Sequence, residues 1–196
     1  MSDPYTTWNR LRARAGRLST TDRPSGRRPI AAVLRCADAG LDARTVFGQP
    51  TGAFIEFSSW GPTVDTGVLA GVEFAVETAE VPLIIVLGHD DCAAMGAALS
   101  AWDHAELPGG ARRSVIEGVL MSLVGRGVSA GSPAHIAAAH AVETGLALLQ
   151  RSPLLTRRLD EGRCGIVCAT HDAATLRVHA TMGDVREDAP TLVECV

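Results

Sequence analysis

Two short segments carry the residues whose types and spacing could do chemistry. Cys36 and Asp38 follow one apolar run, and His89 and Cys92, three residues apart, follow another. Two thiolates and one imidazole form a borderline-soft ligand set that suits Zn²⁺. Cys92 also lies where a helix is expected to begin, and the positive end of a helix dipole favours its thiolate form. The spacing therefore predicts a zinc site whose three protein ligands leave a fourth position for water or for Asp38.

The same residues allow an interpretation in which they bind nothing. A His and a Cys three apart form a short pattern, and buried Cys and His residues at strand ends are often ordinary core residues. The combination of Cys-x-Asp with His-x-x-Cys, each closing an apolar strand, is far more specific. Residue types and context therefore favour zinc, while the core interpretation stays open at this point.

The elements that must position these residues alternate between strands and helices. Short apolar runs predict five strands, at 30–36, 53–57, 83–87, 165–170 and 176–180. Helical patterns predict five helices, at 66–79, 91–101, 114–124, 133–149 and 154–160. Asp65 or Thr66 is the expected N-cap of the first of these helices. The alternation is typical of an α/β domain with a central, mostly parallel β-sheet flanked by helices, in which ligands gather beyond the carboxyl ends of the strands.

Composition narrows the class of protein. The 196 residues are 46% hydrophobic, so we expect one globular domain over 1–196 with a sizeable core. All 18 basic residues are Arg, and this excludes a lysine Schiff base and a Walker-type phosphate loop. With a net charge of −4 and no long basic run, the chain is not expected to bind nucleic acid.

The N-terminal region and the Cys residues bear on the cellular compartment. Residues 17–29 are polar with two Pro, and they are expected to form an arm or linker. No signal-peptide pattern is visible, and the apolar run 81–87 is too short to span a bilayer, so we expect a cytoplasmic protein without membrane contact. The Cys residues number five, and an odd count favours free or metal-bound thiols over a disulfide framework.

These motifs resemble those of β-class carbonic anhydrases. That family carries Cys-x-Asp-Ser-Arg after its first strand and Gly-His-x-x-Cys-Gly after its third, and this chain has CADAG at 36–40 and GHDDCA at 88–93. Residues 71–99 are similar to the family stretch that leads to the zinc ligands. Residues 6–14 resemble its N-terminal helix, and residues 152–172 its C-terminal helix and strand. The resemblance therefore covers most of the chain.

The resemblance implies a fold, a metal and a reaction. It implies a β-carbonic anhydrase-like α/β fold in which the N-terminal helix and arm, residues 1–29, pack on a partner subunit of a homodimer or homotetramer. It implies Zn²⁺ on Cys36, His89 and Cys92, and reversible hydration of CO₂ to bicarbonate by zinc-bound hydroxide. In the family an Asp accepts a hydrogen bond from this hydroxide, and Asp38 matches that catalytic Asp.

The chain departs from the family motif next to this Asp. The family Arg that pairs with the Asp is replaced by Gly40. The metal is then an alternative partner of Asp38, so Asp38 is a possible fourth ligand. An Asp on the metal displaces the water nucleophile. Arg44 could fold back to replace the missing Arg, whereas strand alternation directs Arg35 away from the site.

The predicted substrate pocket also differs from the family pattern. Phe57 and Trp60 lie in the segment that replaces the family's Arg-Asn-Ala-Gly, and Arg27 stands where some members have a pocket Gln. These three residues and Gly40 are candidates for the pocket, although Phe57 and Trp60 also suit core or subunit packing and Arg27 a solvated arm.

Three functions for this small-molecule site stay open on the sequence alone. The first is a carbonic anhydrase weakened by the missing Arg. The second is a repurposed zinc hydrolase or lyase that acts on another small electrophile, such as COS, CS₂ or a biosynthetic intermediate. The third is an inactive zinc-binding relative that acts as a binding partner.

Overall fold

The chain folds around one five-stranded sheet, and the strand order reverses in the middle of that sheet. The computed structural model describes residues 28–172 and 174–185. These residues form strands β1 (Ala31–Cys36), β2 (Phe54–Ser59), β3 (Leu83–His89), β4 (Gly165–His171) and β5 (Leu176–Met182). The strand order is β2-β1-β3-β4-β5, in which the first four are parallel and β5 is antiparallel to β4. The chain moves from β1 to β2 on one side and then returns to β3 on the other, so the switch point lies between β1 and β3.

Helices cover the sheet and connect its strands. Within the described residues they are α1 (Ala43–Phe47), α2 (Thr66–Glu77), α3 (Ala93–His104), α4 (Arg112–Arg126), α5 (Pro133–Arg151) and α6 (Pro153–Asp160). Side chains satisfy the free amides at several N-termini: Asp65 accepts from the Val68 amide and Ser132 from the His135 amide. A Pro opens α5 and α6, where its missing N–H costs nothing. None of these helices combines the length and the apolar character needed to cross a membrane.

The structure confirms the predicted fold class and nearly all of the predicted elements. All five predicted strands are present, and Asp65 is the N-cap of α2. Helix α3 begins two residues later than predicted, because Cys92 takes the N-cap position. Helix α1 was not predicted, since five residues between the Asp42 cap and the left-handed Gly48 are too few to show a helical period. The predicted N-terminal helix and most of the arm at 1–29 lie outside the described residues.

The apolar residues form three buried clusters around the sheet. Alternate residues of the central strands face opposite sides: Ala32 and Ile84 pack against α2 and α5, while Val33 and Ile85 pack on the side that carries α1. The third cluster joins α3, α4 and α5 and lies beside the carboxyl ends of β1 and β3. This arrangement places the predicted metal ligands at the border of a packed, dry region rather than on an open surface.

Gly145 allows α5 to lie directly on β4, and this close approach predicts a stability difference. A Cβ at Gly145 would lie 2.6 Å from the Cys168 sulfur and 3.2 Å from Cε of Met182. We expect Gly145→Ala to lower the free energy of unfolding by about 1–3 kcal/mol, because overpacking outweighs the gain in helix propensity. Gly118→Ala in α4, where a Cβ would meet nothing within 4 Å, is the matched control and should raise it by about 0.5–1 kcal/mol. Urea denaturation measures both, and equal stability of the two variants would contradict the close approach.

Candidate metal centre

The geometry of the sheet brings four predicted site residues together. Because β1 and β3 are parallel neighbours, Cys36 at the end of β1 and His89 at the end of β3 lie at the same edge of the sheet. Cys92 is the N-cap of α3, which begins directly after β3. One ligand atom from each of Cys36, Asp38, His89 and Cys92 lies within 4.8 Å of all the others. The cluster has the residue types and the convergence of a metal site.

Distances among these side chains suit one small ion. The sulfurs of Cys36 and Cys92 are 3.5 Å apart. Oδ1 of Asp38 lies 2.7 Å from the Cys36 sulfur, 3.8 Å from the Cys92 sulfur and 2.9 Å from Nε2 of His89. Two zinc–sulfur bonds of about 2.3 Å at a tetrahedral angle would place the sulfurs about 3.8 Å apart, close to the separation seen here. The donor types and the sulfur–sulfur separation therefore both fit Zn²⁺, and Asp38 lies in hydrogen-bond contact with the other donors.

Backbone amides and one carboxylate hold three of the four side chains in place. The Gly61 amide donates to the Cys36 sulfur at 3.2 Å, and the Ala93 amide, at the start of α3, donates to Oδ2 of Asp38 at 2.9 Å. Nδ1 of His89 lies 2.8 Å from a carboxylate oxygen of Asp91. This contact leaves Nε2 of the imidazole free to face the other ligands, an arrangement common around protein-bound zinc.

Proton sharing within the cluster shifts the pKa values of all four groups. The hydrogen bond to Cys92 and burial raise the pKa of the Cys36 thiol, whereas the same hydrogen bond lowers the pKa of Cys92. A hydrogen bond to Cys36 and two to carboxylates outweigh burial and raise the pKa of His89 to about 9. Burial acts to raise the pKa of Asp38, but hydrogen bonds from Cys36, a backbone amide and His89 hold it below its usual range. Cys36 and His89 are thus the groups that must give up a proton before they bind a cation.

No Arg among the described residues pairs with Asp38. Arg44, the candidate substitute for the missing family Arg, instead pairs with Asp42 at 3.5 Å. Arg35 points away from the site, as strand alternation predicts, and pairs with Glu56 on β2 at 2.9 Å. The Asp38 carboxylate therefore has only hydrogen bonds from the cluster itself and from α3, and these turn Oδ1 towards the ligand atoms.

A small buried cavity adjoins the ligands. Its volume is about 10 Å³, which is about enough for one water molecule. Three of the candidate ligands, Cys36, His89 and Cys92, line it together with Pro62, Gly88, Met95, Ala137, His140 and Ala141. Most of this wall is apolar, and sequence reasoning did not identify it, because these residues come from three segments that are distant in the chain.

The other candidates for the substrate pocket lie in different places. The ring of Phe57 packs against Gly71 of α2 in the core, and Trp60 packs against the cluster that contains the two ligand cysteines. Gly40 lines a separate pocket of about 320 Å³, which His89 also lines. None of the three lines the small cavity. Arg27 lies outside the described residues.

Known proteins resemble this chain in sequence. A sequence model of the carbonic anhydrase family matches residues 31–178. The chain is 36% identical over 169 residues to carbonic anhydrase 2 of Mycobacterium tuberculosis, a match that covers 84% of this chain and 81% of the relative. It is 37% identical over 163 residues to a carbonic anhydrase of Mycolicibacterium smegmatis, covering 82% and 79% of the two chains.

Solved structures share the fold at lower sequence identity. A Coccomyxa β-carbonic anhydrase in complex with acetazolamide has a TM-score of 0.67 at 16% identity, covering 89% of this chain and 82% of that one. A tetrameric β-carbonic anhydrase from Sordaria macrospora has a TM-score of 0.68 at 18% identity, covering 89% and 92%. With a family match over most of its length, relatives above 30% identity and this fold, the chain belongs to the β-carbonic anhydrase family.

Proposed function

We propose that the protein is a zinc-dependent carbonic anhydrase that hydrates CO₂ reversibly to bicarbonate. One observation carries the proposal: in a chain of this family, Cys36, His89 and Cys92 converge with Asp38 at the carboxyl edge of a parallel sheet. The two thiolates and the imidazole would hold the ion. The chemistry that zinc supplies is a lower pKa of water, which makes a strong nucleophile available near neutral pH.

The side chains around the cluster are mostly apolar, which suits an apolar substrate. Met95, Ala137 and Ala141 line the small cavity beside the ligands. A dry, apolar wall suits CO₂ and strengthens every electrostatic interaction at the site. Asp38 has a defined orientation, because the Ala93 amide engages Oδ2 and leaves Oδ1 towards the ligands. From there Oδ1 either accepts a hydrogen bond from a group at the centre of the cluster or takes the fourth position itself.

The replacement of the family Arg by Gly40 favours the second of these arrangements. Without an Arg beside it, Asp38 is drawn only towards the cluster, where His89 is its ionic partner. A carboxylate in the fourth position excludes the water nucleophile, so we infer that activity is weak until Asp38 moves away. Its hydrogen bond to the Ala93 amide is compatible with such a movement, because that bond engages only one of its two oxygens.

A cytoplasmic homodimer or homotetramer is part of the proposal. The Sordaria macrospora relatives are tetrameric. In the single chain, large apolar side chains on two helices are mostly exposed, at 55% for Phe74, 64% for Met121 and 60% for Val124. Exposed apolar surface of this kind is typical of subunit contacts.

Zinc-loaded protein should hydrate CO₂ faster than buffer alone, and zinc-free protein should not. Stopped-flow assays at about pH 7 and about pH 9, on protein of measured zinc content, test this. Cys92→Ala should lose both zinc and activity, because it removes one of three ligands. Cys164→Ala, which removes a buried thiol outside the cluster, should keep both. Absence of turnover at either pH with one zinc per chain would contradict the proposed activity.

Restoring the family dyad should increase the activity. A Cβ at Gly40 would meet nothing within 4 Å, so Gly40→Arg with Ala39→Ser can be accommodated. A charge-assisted hydrogen bond worth about 1.5–3 kcal/mol would draw Asp38 off the fourth position and raise kcat/KM about tenfold or more. Gly109→Arg, at an equally open position in an exposed loop, is the matched control and should change nothing. Equal rates in both variants, with zinc in place, would show that the missing Arg does not limit the reaction.

Zinc binding should release more protons at neutral pH than above pH 9. At about pH 7 zinc must displace one proton from His89, whose pKa is raised to about 9, and one from Cys36, whose pKa is also raised. Above the pKa of His89 its proton is already lost, so proton release falls and the apparent zinc affinity rises. Calorimetry in buffers of different ionisation enthalpy counts the protons. Release that does not change with pH would show that His89 is neutral in the zinc-free site.

A further inference from the structure

Three buried hydrogen bonds, joined by the backbone of Gly61 and Pro62, connect α4 to the sulfur of Cys36. The hydroxyl oxygen of Ser122 in α4 lies 2.8 Å from Nδ1 of His140 in α5. Nε2 of His140 lies 2.7 Å from the carbonyl oxygen of Pro62. The neighbouring Gly61 amide donates to the Cys36 sulfur at 3.2 Å. Two helices that carry no metal ligand are thus connected to one of the proposed ligands.

The carbonyl at Pro62 fixes the tautomer of His140, whose Nδ1 is the shorter of two contacts of the Ser122 hydroxyl, the other being the Gly118 carbonyl oxygen at 3.1 Å. A carbonyl oxygen only accepts, so Nε2 of His140 carries the hydrogen and Nδ1 accepts from the Ser122 hydroxyl. Burial lowers the pKa of His140 to about 4, so the imidazole is neutral at physiological pH. Ser122 and His140 are 7% and 6% exposed, so burial limits the access of water to these bonds.

Gly61 presents its amide from a backbone conformation that few other residues adopt. Its φ of +63° lies in the left-handed region that favours glycine. A Cβ there would lie 2.9 Å from Cγ1 of Val115 and 3.1 Å from Cβ of Ala94. Val115 and Ala94 therefore enclose the turn at Gly61. The Pro62 carbonyl at the next residue is anchored by His140 at 2.7 Å and more weakly by the Thr144 hydroxyl at 3.3 Å.

We propose that His140 is a positioning residue for the metal centre, which holds the Gly61 amide against the Cys36 sulfur through the Pro62 carbonyl. This inference rests on the proposed zinc site and adds a control on one of its thiolates. An N–H donor that points at a thiolate takes up part of its negative charge, so it reduces the charge that the sulfur donates to a metal and fixes its orientation. The sheet determines the position of Cys36, and the helices α4 and α5 then influence the charge on its sulfur.

Cobalt-substituted protein offers a readout that a purely structural role would not change. The thiolate-to-cobalt charge-transfer band reports how much charge the sulfurs donate. His140→Leu, which has no donor, should shift this band and lower metal affinity by about 10–100-fold. His140→Gln, whose side-chain amide can still donate to Pro62, should stay close to the wild type. Ser152→Ala is the matched control, since it removes a fully buried hydroxyl that bonds Glu73 and caps α6, away from the site.

A second measurement needs no metal. In the zinc-free protein the Gly61 amide should exchange its hydrogen faster in His140→Leu than in the wild type, and it should stay protected in His140→Gln and Ser152→Ala. If His140→Leu does not fold, Ser122→Ala replaces it, because loss of the hydroxyl frees the His140 ring and should move both readouts by a smaller amount in the same direction.

The outcomes separate the two proposals. An unchanged cobalt spectrum together with unchanged Gly61 exchange in the folded variants would overturn the role of His140 while leaving the metal centre in place. If the wild-type chain binds neither cobalt nor zinc, the metal centre itself fails. The exchange of the Gly61 amide in the zinc-free variants then still decides whether His140 holds this turn.

Discussion

The site depends on the adjacency of β1 and β3 at the centre of the sheet. Parallel neighbours end at the same edge, so Cys36 and His89 meet although 53 residues separate them in the chain. The next three residues complete a turn that makes Cys92 the N-cap of α3. The first amide of that helix then reaches the carboxylate of Asp38. One strand pairing and the two turns that follow these strands thus gather two thiols, an imidazole and a carboxylate within 4.8 Å.

The main difference from the family pattern is the absence of an Arg partner for the Asp38 carboxylate. Besides the His89 imidazole, a carboxylate at this edge has two possible cationic partners, an Arg side chain or a metal ion. Because Gly40 stands in the Arg position and Arg44 pairs with Asp42, only the metal side is available to Asp38 among the described residues. The helix amide holds one oxygen and so directs the other inward. The same scaffold can therefore favour an open or a closed centre according to one side chain two residues away.

Much of this arrangement could be predicted from the sequence, and the remainder could not for physical reasons. Cys36 and His89 each end an apolar run, so their pattern locates them at strand ends and next to each other in a parallel sheet. The amide of Gly61 has no side-chain signature, and its partner is 25 residues away. The bond from His140 to Pro62 spans 78 residues. In the sequence His140 is one of several scattered histidines, and only tertiary packing shows that it faces the centre.

One part of the fold determines which side chains converge at the site, and another part influences the charge on their donor atoms. The strands fix which atoms converge, since register leaves no choice about the positions of Cys36 and His89. Backbone N–H groups, from the start of α3 and from the Gly61 turn, set how much negative charge the carboxylate and the thiolate keep. The second of these groups depends on a neutral His140 in a helix outside the cluster. If the proposed centre binds its metal, changes in α4 and α5 would therefore alter its metal chemistry while every proposed ligand stays the same.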